Sequence, residues 1–286
     1  YSKEGIYSLP LAKNVDVVYY NADFFAENGL VPPRTWDELE VVAQKIYDLT
    51  GRAAFGYDNL SYLFQNLCYQ YGGAYTNNKG DLLFLEDNAW LEGVTNYADK
   101  VWAGIWRTAG EDYFFSGPFA RQTIMMYVGG TVESTYINMK GPEFKWSAAP
   151  IPQANPEDPH ALSYDHVIAA LSLYGYTAET YAAWEFIKFI TSTEASLKIT
   201  TGTAYMATRN SVLETEEYKT FIANGGNDAL KAATQQKDFL FYEPAFTTDT
   251  YSTSTLSTEI TTMMKSILEN HVDPQTAMDA LVNALK

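Results

Sequence analysis

Carboxylates are the residues of this sequence best suited to chemistry. Glu111, Asp112, Glu133, Asp165 and Asp249 could each enter a pair in which one acid protonates a leaving oxygen and the other attacks or activates water, as glycoside hydrolysis requires. No spacing ties any two of them together, and 35 Asp and Glu residues supply such candidates by chance. The three histidines, His160, His166 and His271, form no H-E-x-x-H and no Cys/His cluster of zinc spacing. Cys68 is the single cysteine, so no intrachain disulfide is possible, and between Leu67 and Tyr69 it reads as a small buried hydrophobe. There is no G-x-S-x-G elbow. Gly51 and Gly56 have phosphate-loop spacing but are followed by Tyr57-Asp58 instead of Lys-Ser. Residues 77–81 resemble part of a calcium loop without its later carboxylates. The chain reads as a binder and not an enzyme, with no cofactor and no metal expected.

The elements that would position a binding site are strands alternating with helices. Residues 15–20 are a β-branched and aromatic run, predicting a buried strand. Residues 22–28 predict a short helix closed by a left-handed Gly29. Thr35 with Glu38 forms a capping box for a helix whose apolar stripe is Trp36, Leu39, Val42, Ala43, Ile46 and Leu49, ended by Gly51. Short strands are predicted over 53–57, 123–128, 146–149 and 167–174, and a small hairpin over 77–81. Helices are predicted over 60–71, from Asn88 as cap, from Thr177 as cap, over 194–200, over 257–270, and from Asp273 with Pro274 at the first helical position. The alternation indicates an α/β architecture.

Composition narrows the function classes. A chain of 286 residues is long enough for one large domain or two lobes. The net charge of −16 argues against a nucleic-acid partner, which needs Lys and Arg on phosphates, and against an anionic membrane surface. Aromatics make up 15% of the residues, 22 of them Tyr. Such rings stack on sugar rings, and Tyr adds a polar handle.

Three ordered segments carry a family resemblance: residues 5–14 (GIYSLPLAKN), 15–21 (VDVVYYN) and 29–39 (GLVPPRTWDEL). They resemble the signature of the family 1 extracellular solute-binding proteins of ABC importers, which include the maltose and glycerol-phosphate receptors. Later stretches agree: Gly72-Gly73 before the 77–81 turn, Ser116-Gly117, residues 124–130, residues 146–152, and residues 182–192. Thr201-Gly202 with Tyr205 also fits, although Ala207 stands where the family usually has Pro. The strands that open the family's N-terminal lobe have no counterpart ahead of Tyr1, so the resemblance implies a chain truncated at its N-terminus.

What the resemblance implies is an α/β, periplasmic-binding-protein-like (type II) two-lobe fold with the N-terminal lobe incomplete. Residues 1–13 and 170–240 would form the partial N-terminal lobe, and 14–165 with 241–286 the C-terminal lobe. Crossing strands would lie near 12–14, 166–170 and 241–244. A sugar or oligosaccharide would bind between the lobes, and hinge closure would present the complex to the importer's membrane permease subunits. The implied ligand-binding residues are Asn14, Tyr62, Asn66, Gly130, Thr131, Glu133, Asp165, His166, Tyr205, Tyr251 and Ser254. Tyr62 would stack on the sugar, and Gly130 and Thr131 would offer backbone N–H groups. Asp165 and His166 stand where relatives often have glycines. The implied state is a monomer, lipid-anchored on the outer face of the cell membrane or free in the periplasm. Two alternatives stay open: a receptor for a glycerol-phosphate-like solute, for which Arg209 is the nearest arginine to a predicted cleft loop, and a glycoside hydrolase or other carbohydrate-active enzyme.

Overall fold

The computed structural model describes residues 9–168, 177–224 and 227–286. Among the described residues five strands form the sheet: β1 (Leu9–Asn21), β2 (Met126–Gly130), β3 (Trp146–Pro150), β4 (Ala161–Ile168) and β5 (Leu240–Tyr242). The strand predicted over 15–20 is thus the second half of a longer one. That half pairs antiparallel with β2 on one side and β3 on the other. The first half pairs antiparallel with β4, with a bulge between Pro10 and Ala12, and β4 pairs in parallel with β5. β1 changes partner between Val15, opposite Ser163 of β4, and Asp16, opposite Gly130 of β2.

The two-residue repeat of a strand lets β1, buried along most of its length, serve two cores. Val15, Val17 and Tyr19 point into one cluster with Phe115, Phe119, Ile124, Tyr127 and Ile137. Val18 points the other way, into a larger core of Leu39, Leu63, Phe64, Trp90, Met264 and their neighbours. Each fully buried Phe or Leu contributes about 1.5–3 kcal/mol. The larger core is built by the helices Trp36–Thr50, Leu60–Gln70, Trp90–Trp102, Thr253–Asn270 and Pro274–Ala284. Cys68 is buried within it, as expected.

Several local expectations need correction. Residues 53–57 form no strand: Phe55 bridges Trp106 and Tyr57 bridges Val128, so alternate residues meet different partners and no ladder forms. β2 begins only at Met126, because Gln122 has φ 55° and the Thr123 N–H turns back to Pro118 O. Glu38 closes its box one residue early, its carboxylate accepting from the Arg34 N–H while Thr35 accepts from the Glu38 N–H. Asn88 caps no helix with its side chain but sits at φ 54°. Leu49 leaves the buried stripe and is 57% exposed. The last long helix starts at Thr253, four residues early, because Ser252 accepts from the Thr255 N–H. β4 ends at Ile168, and residues 169–174 of the predicted strand lie outside the described residues. The helix Asp228–Gln235 falls in the stretch assigned to the partial lobe, yet Ala229, Ala232 and Ala233 pack with Val15, Val17 and Tyr19. Gln236 donates to Asp16 O and accepts from the Ile151 N–H.

Candidate functional site

A cavity of about 580 Å³ opens where β1 changes partner. Alternation puts Asn14 and Asp16 on one face of β1, and both line the cavity. The Asn14 side chain is held from two sides, accepting from Thr131 Oγ1 (2.7 Å) and donating to Tyr164 Oη (2.9 Å). Asp16 accepts from Tyr57 Oη (2.6 Å) and Tyr164 Oη (3.1 Å). Burial raises the Asp16 pKa to about 6, against the opposing pull of those two hydroxyls.

Aromatic rings form much of the wall: Tyr62, Phe114, Tyr136, Tyr164 and Tyr205. Tyr62 sits in the first turn of Leu60–Gln70, where the Asn59 side chain accepts from its N–H. Its ring leans on Tyr164 at 4.4 Å between centroids and 35° between planes. Glu133 begins the helix Glu133–Met139 just after β2. Tyr19 Oη fixes that turn, donating to Gly130 O (2.8 Å) and accepting from the Ser134 N–H (3.1 Å).

The carboxylates divide by depth. Glu133 is 8% exposed, and its Oε2 is buried with no hydrogen-bond partner. Asp58 accepts from the Phe115 N–H through Oδ1 (2.7 Å), while its Oδ2 is buried and unpartnered. A Cβ placed on Gly129 would lie 2.8 Å from Asp58 Oδ2 and 3.1 Å from Glu133 Cγ, so these two side chains flank that glycine. Burial, then the charge of Glu133, pushes the Asp58 carboxyl well up; burial likewise raises Glu133. At the mouth, Arg121 pairs with Asp112 (2.9 Å), and Lys140 is exposed.

Of the residues named from sequence, Asn14, Tyr62, Gly130, Glu133 and Tyr205 meet at this cavity. Asn66 does not reach it: fully buried, it donates to Tyr57 Oη and Tyr62 O and accepts from the Leu162 N–H. Thr131 is also fully buried, and its N–H is committed to Val15 O. The space beside Gly130 serves packing, since a Cβ there would lie 2.4 Å from both Asn14 Nδ2 and Tyr164 Oη. Tyr251 donates to Gly80 O and packs against Phe246, and exposed Ser254 lies on the first turn of Thr253–Asn270; neither lines the cavity. The backbones of Asp165 and His166 pair with Lys13 and Ala12, and their side chains lie outside the described residues. Arg209 donates to Thr191 O, away from the cavity. The sequence reading missed Asp16, Asp58 and Tyr164. Alternation from Asn14 signals Asp16, but no local pattern signals Tyr164, which arrives through pairing 150 residues away.

A family model described as "Bacterial extracellular solute-binding protein" matches residues 1–227. A maltotriose-binding protein of Pyrococcus abyssi is 24% identical over 226 residues, covering 76% of this chain and 47% of the relative. A multiple sugar-binding protein of Streptococcus mutans is 24% identical over 214 residues, covering 68% of this chain and 49% of the relative. The chain thus spans about half the length of these curated relatives. Among solved structures, the cyclic alpha-maltosyl-1,6-maltose binding protein of Arthrobacter globiformis matches with a TM-score of 0.79 at 21% identity, over 99% of this chain and 72% of that one. UgpB of Mycobacterium tuberculosis, in complex with glycerophosphocholine, matches with a TM-score of 0.81 at 20% identity, over 98% and 70%. At such identities the structural likeness is one of fold.

Proposed function

Because the chain belongs to the bacterial extracellular solute-binding proteins and carries their type II periplasmic-binding-protein-like α/β fold, we propose that it captures a sugar or oligosaccharide for an ABC importer and leaves it chemically unchanged. The carrying observation is a cavity whose wall combines tyrosine faces with buried carboxylates that have hydrogen-bonding capacity to spare. Flat rings cover the apolar face of a sugar, and acceptor oxygens take its hydroxyls. The sugar-binding names of the curated relatives support this reading.

The finer parts of the proposal follow from it. The receptor acts as a monomer outside the cytoplasmic membrane, lipid-anchored or periplasmic, and hands solute to membrane permease subunits. Solute is held between a lobe comprising 14–165 with 241–286 and a partial lobe comprising 1–13 with 170–240, with 228–235 counted in the first on its packing. β1, β4 and β5 supply the crossings. Asn14, Tyr62, Glu133 and Tyr205 are the proposed contacts, joined by Asp16, Asp58 and Tyr164. Asn66 and Thr131 support the wall from behind. A phosphate-bearing solute is the second reading, favoured by Arg121 and Lys140 at the mouth.

Titration calorimetry against gluco- and malto-oligosaccharides, amino-sugar oligomers and glycerol phosphate tests this. The expectation is saturable binding of a sugar with no product formed. Truncating Tyr62 to Ala should weaken it by about 10-fold or more, the worth of one good ring contact. Turnover of the sugar, or binding that Tyr62→Ala leaves untouched, would overturn the assignment.

A further inference from the structure

The depth at which charge lies in the cavity narrows the solute. Asp58 Oδ2 and Glu133 Oε2 are buried acceptors without partners, and they stand on either side of Gly129. No ion pair among the described residues involves either carboxylate. Asp16, the neighbouring acid on β1, has both oxygens occupied by tyrosine hydroxyls. The cations of the cavity, Arg121 and Lys140, lie outward, Arg121 with 60% of its side chain exposed and bound to Asp112.

A neutral hydroxyl reaching this floor supplies one donor and no charge. It would leave two buried acids on either side of Gly129, where low screening favours their protonated forms and nothing rewards ionisation. An ammonium group supplies three donors and a full positive charge, and the surrounding rings favour a cation through their faces. We infer that the preferred solute is a sugar bearing a protonated amine, seated between Asp58 and Glu133 with its ring against the tyrosines. This inference rests on the carbohydrate reading above.

The groups facing the two carboxylates fix its pH behaviour. They are Asp16 and Tyr19 from β1, Tyr127 from β2, and Asp112, Arg121 and Lys140 from the mouth. Burial raises both carboxyls; the charge of Glu133 pushes Asp58 further up, while a Ser116 hydrogen bond and the Lys140 charge draw Glu133 partly back and the Asp16 charge raises it again. A bound cation favours their ionised forms, so its binding should release protons and weaken as pH falls. A neutral sugar should do neither.

The experiment is calorimetry on the protein with three probes: a glucosamine tetramer, its N-acetylated twin and maltotetraose. At near-neutral pH the glucosamine tetramer should bind about tenfold tighter than its acetylated twin. Its heat should vary with the ionisation enthalpy of the buffer in the direction of proton release. The advantage should shrink at mildly acidic pH, and in Glu133→Gln and Asp58→Asn variants whose melting transitions remain cooperative. Proton release by the unaltered protein tests the idea even if a variant fails to fold. Equal or tighter binding of the acetylated or neutral oligomer would overturn the amine inference and leave the carbohydrate reading standing. Failure of every sugar to bind would overturn both.

Discussion

Asp16 is nearly fully buried, and both its oxygens are held by tyrosine hydroxyls. Its ordinary pKa of 3.8 rises to about 6 in the folded protein. Below the ordinary value the carboxyl is protonated in both states, and the folded form gains its full advantage. As pH rises towards about 6 the unfolded chain gives up its proton first, and the fold loses about 3 kcal/mol to it. Asp16→Asn should flatten this dependence: melting temperatures across that window should fall less steeply than in the unaltered protein. Parallel profiles would show that Asp16 does not titrate there. Asn14 was legible in the sequence because a signature segment ends on it. Asp16 shares the same strand face, but apart from that alternation nothing local inside the run 15–20 distinguishes it as a site residue.

The helix Leu60–Gln70 is fastened to β4 and its approach by two amides. Asn66 accepts from the Leu162 N–H, and Gln70 donates to His160 O and Pro152 O. Asn66→Ala would orphan a buried amide and break the link to Tyr57, at a cost of about 1–3 kcal/mol. Urea titration should show this as a lower midpoint with an unchanged slope. An unchanged midpoint would mean that water replaces the lost bonds. Helix ends were readable here because caps are local: Thr35, Thr177 and Asp273 each accept the N–H three residues on. Pairing was not readable, because the partner of Asn66 lies 96 residues away. The same distance problem turned 53–57 into a predicted strand, where Gly56 in fact leaves room for the Phe115 ring and the segment meets two partners singly.

Packing is uneven across the molecule. In Leu60–Gln70 nine of eleven residues are buried, whereas Ala178–Ile190 buries only Ile187. Tyr181, Trp184, Phe186 and Phe189 stand 66%, 42%, 55% and 67% exposed along that second helix. Backbone amides of 178–190 should therefore exchange with deuterium about 100-fold faster than those of 60–70. Equal protection in mass spectrometry would indicate that the exposed rings are covered in solution. The α/β class followed from periodicity and caps, which gave no expectation of β5 or of the helices Glu133–Met139, Glu216–Ala223 and Asp228–Gln235. The packing of 228–235 on β1 and β3 was not legible, since small alanines carry little patterning. β1 itself places a parity rule on how this chain can change length. It serves β4 with one half and β2 and β3 with the other, its neighbours fixed residue by residue. Inserting a single amino acid after Lys13 would swap inside for outside along one half, turning Asn14 from the cavity and an apolar neighbour towards it. Two inserted together would restore the facing at the cost of a bulge. A single added residue should be tolerated only where a bulge absorbs it, as the one between Pro10 and Ala12 does.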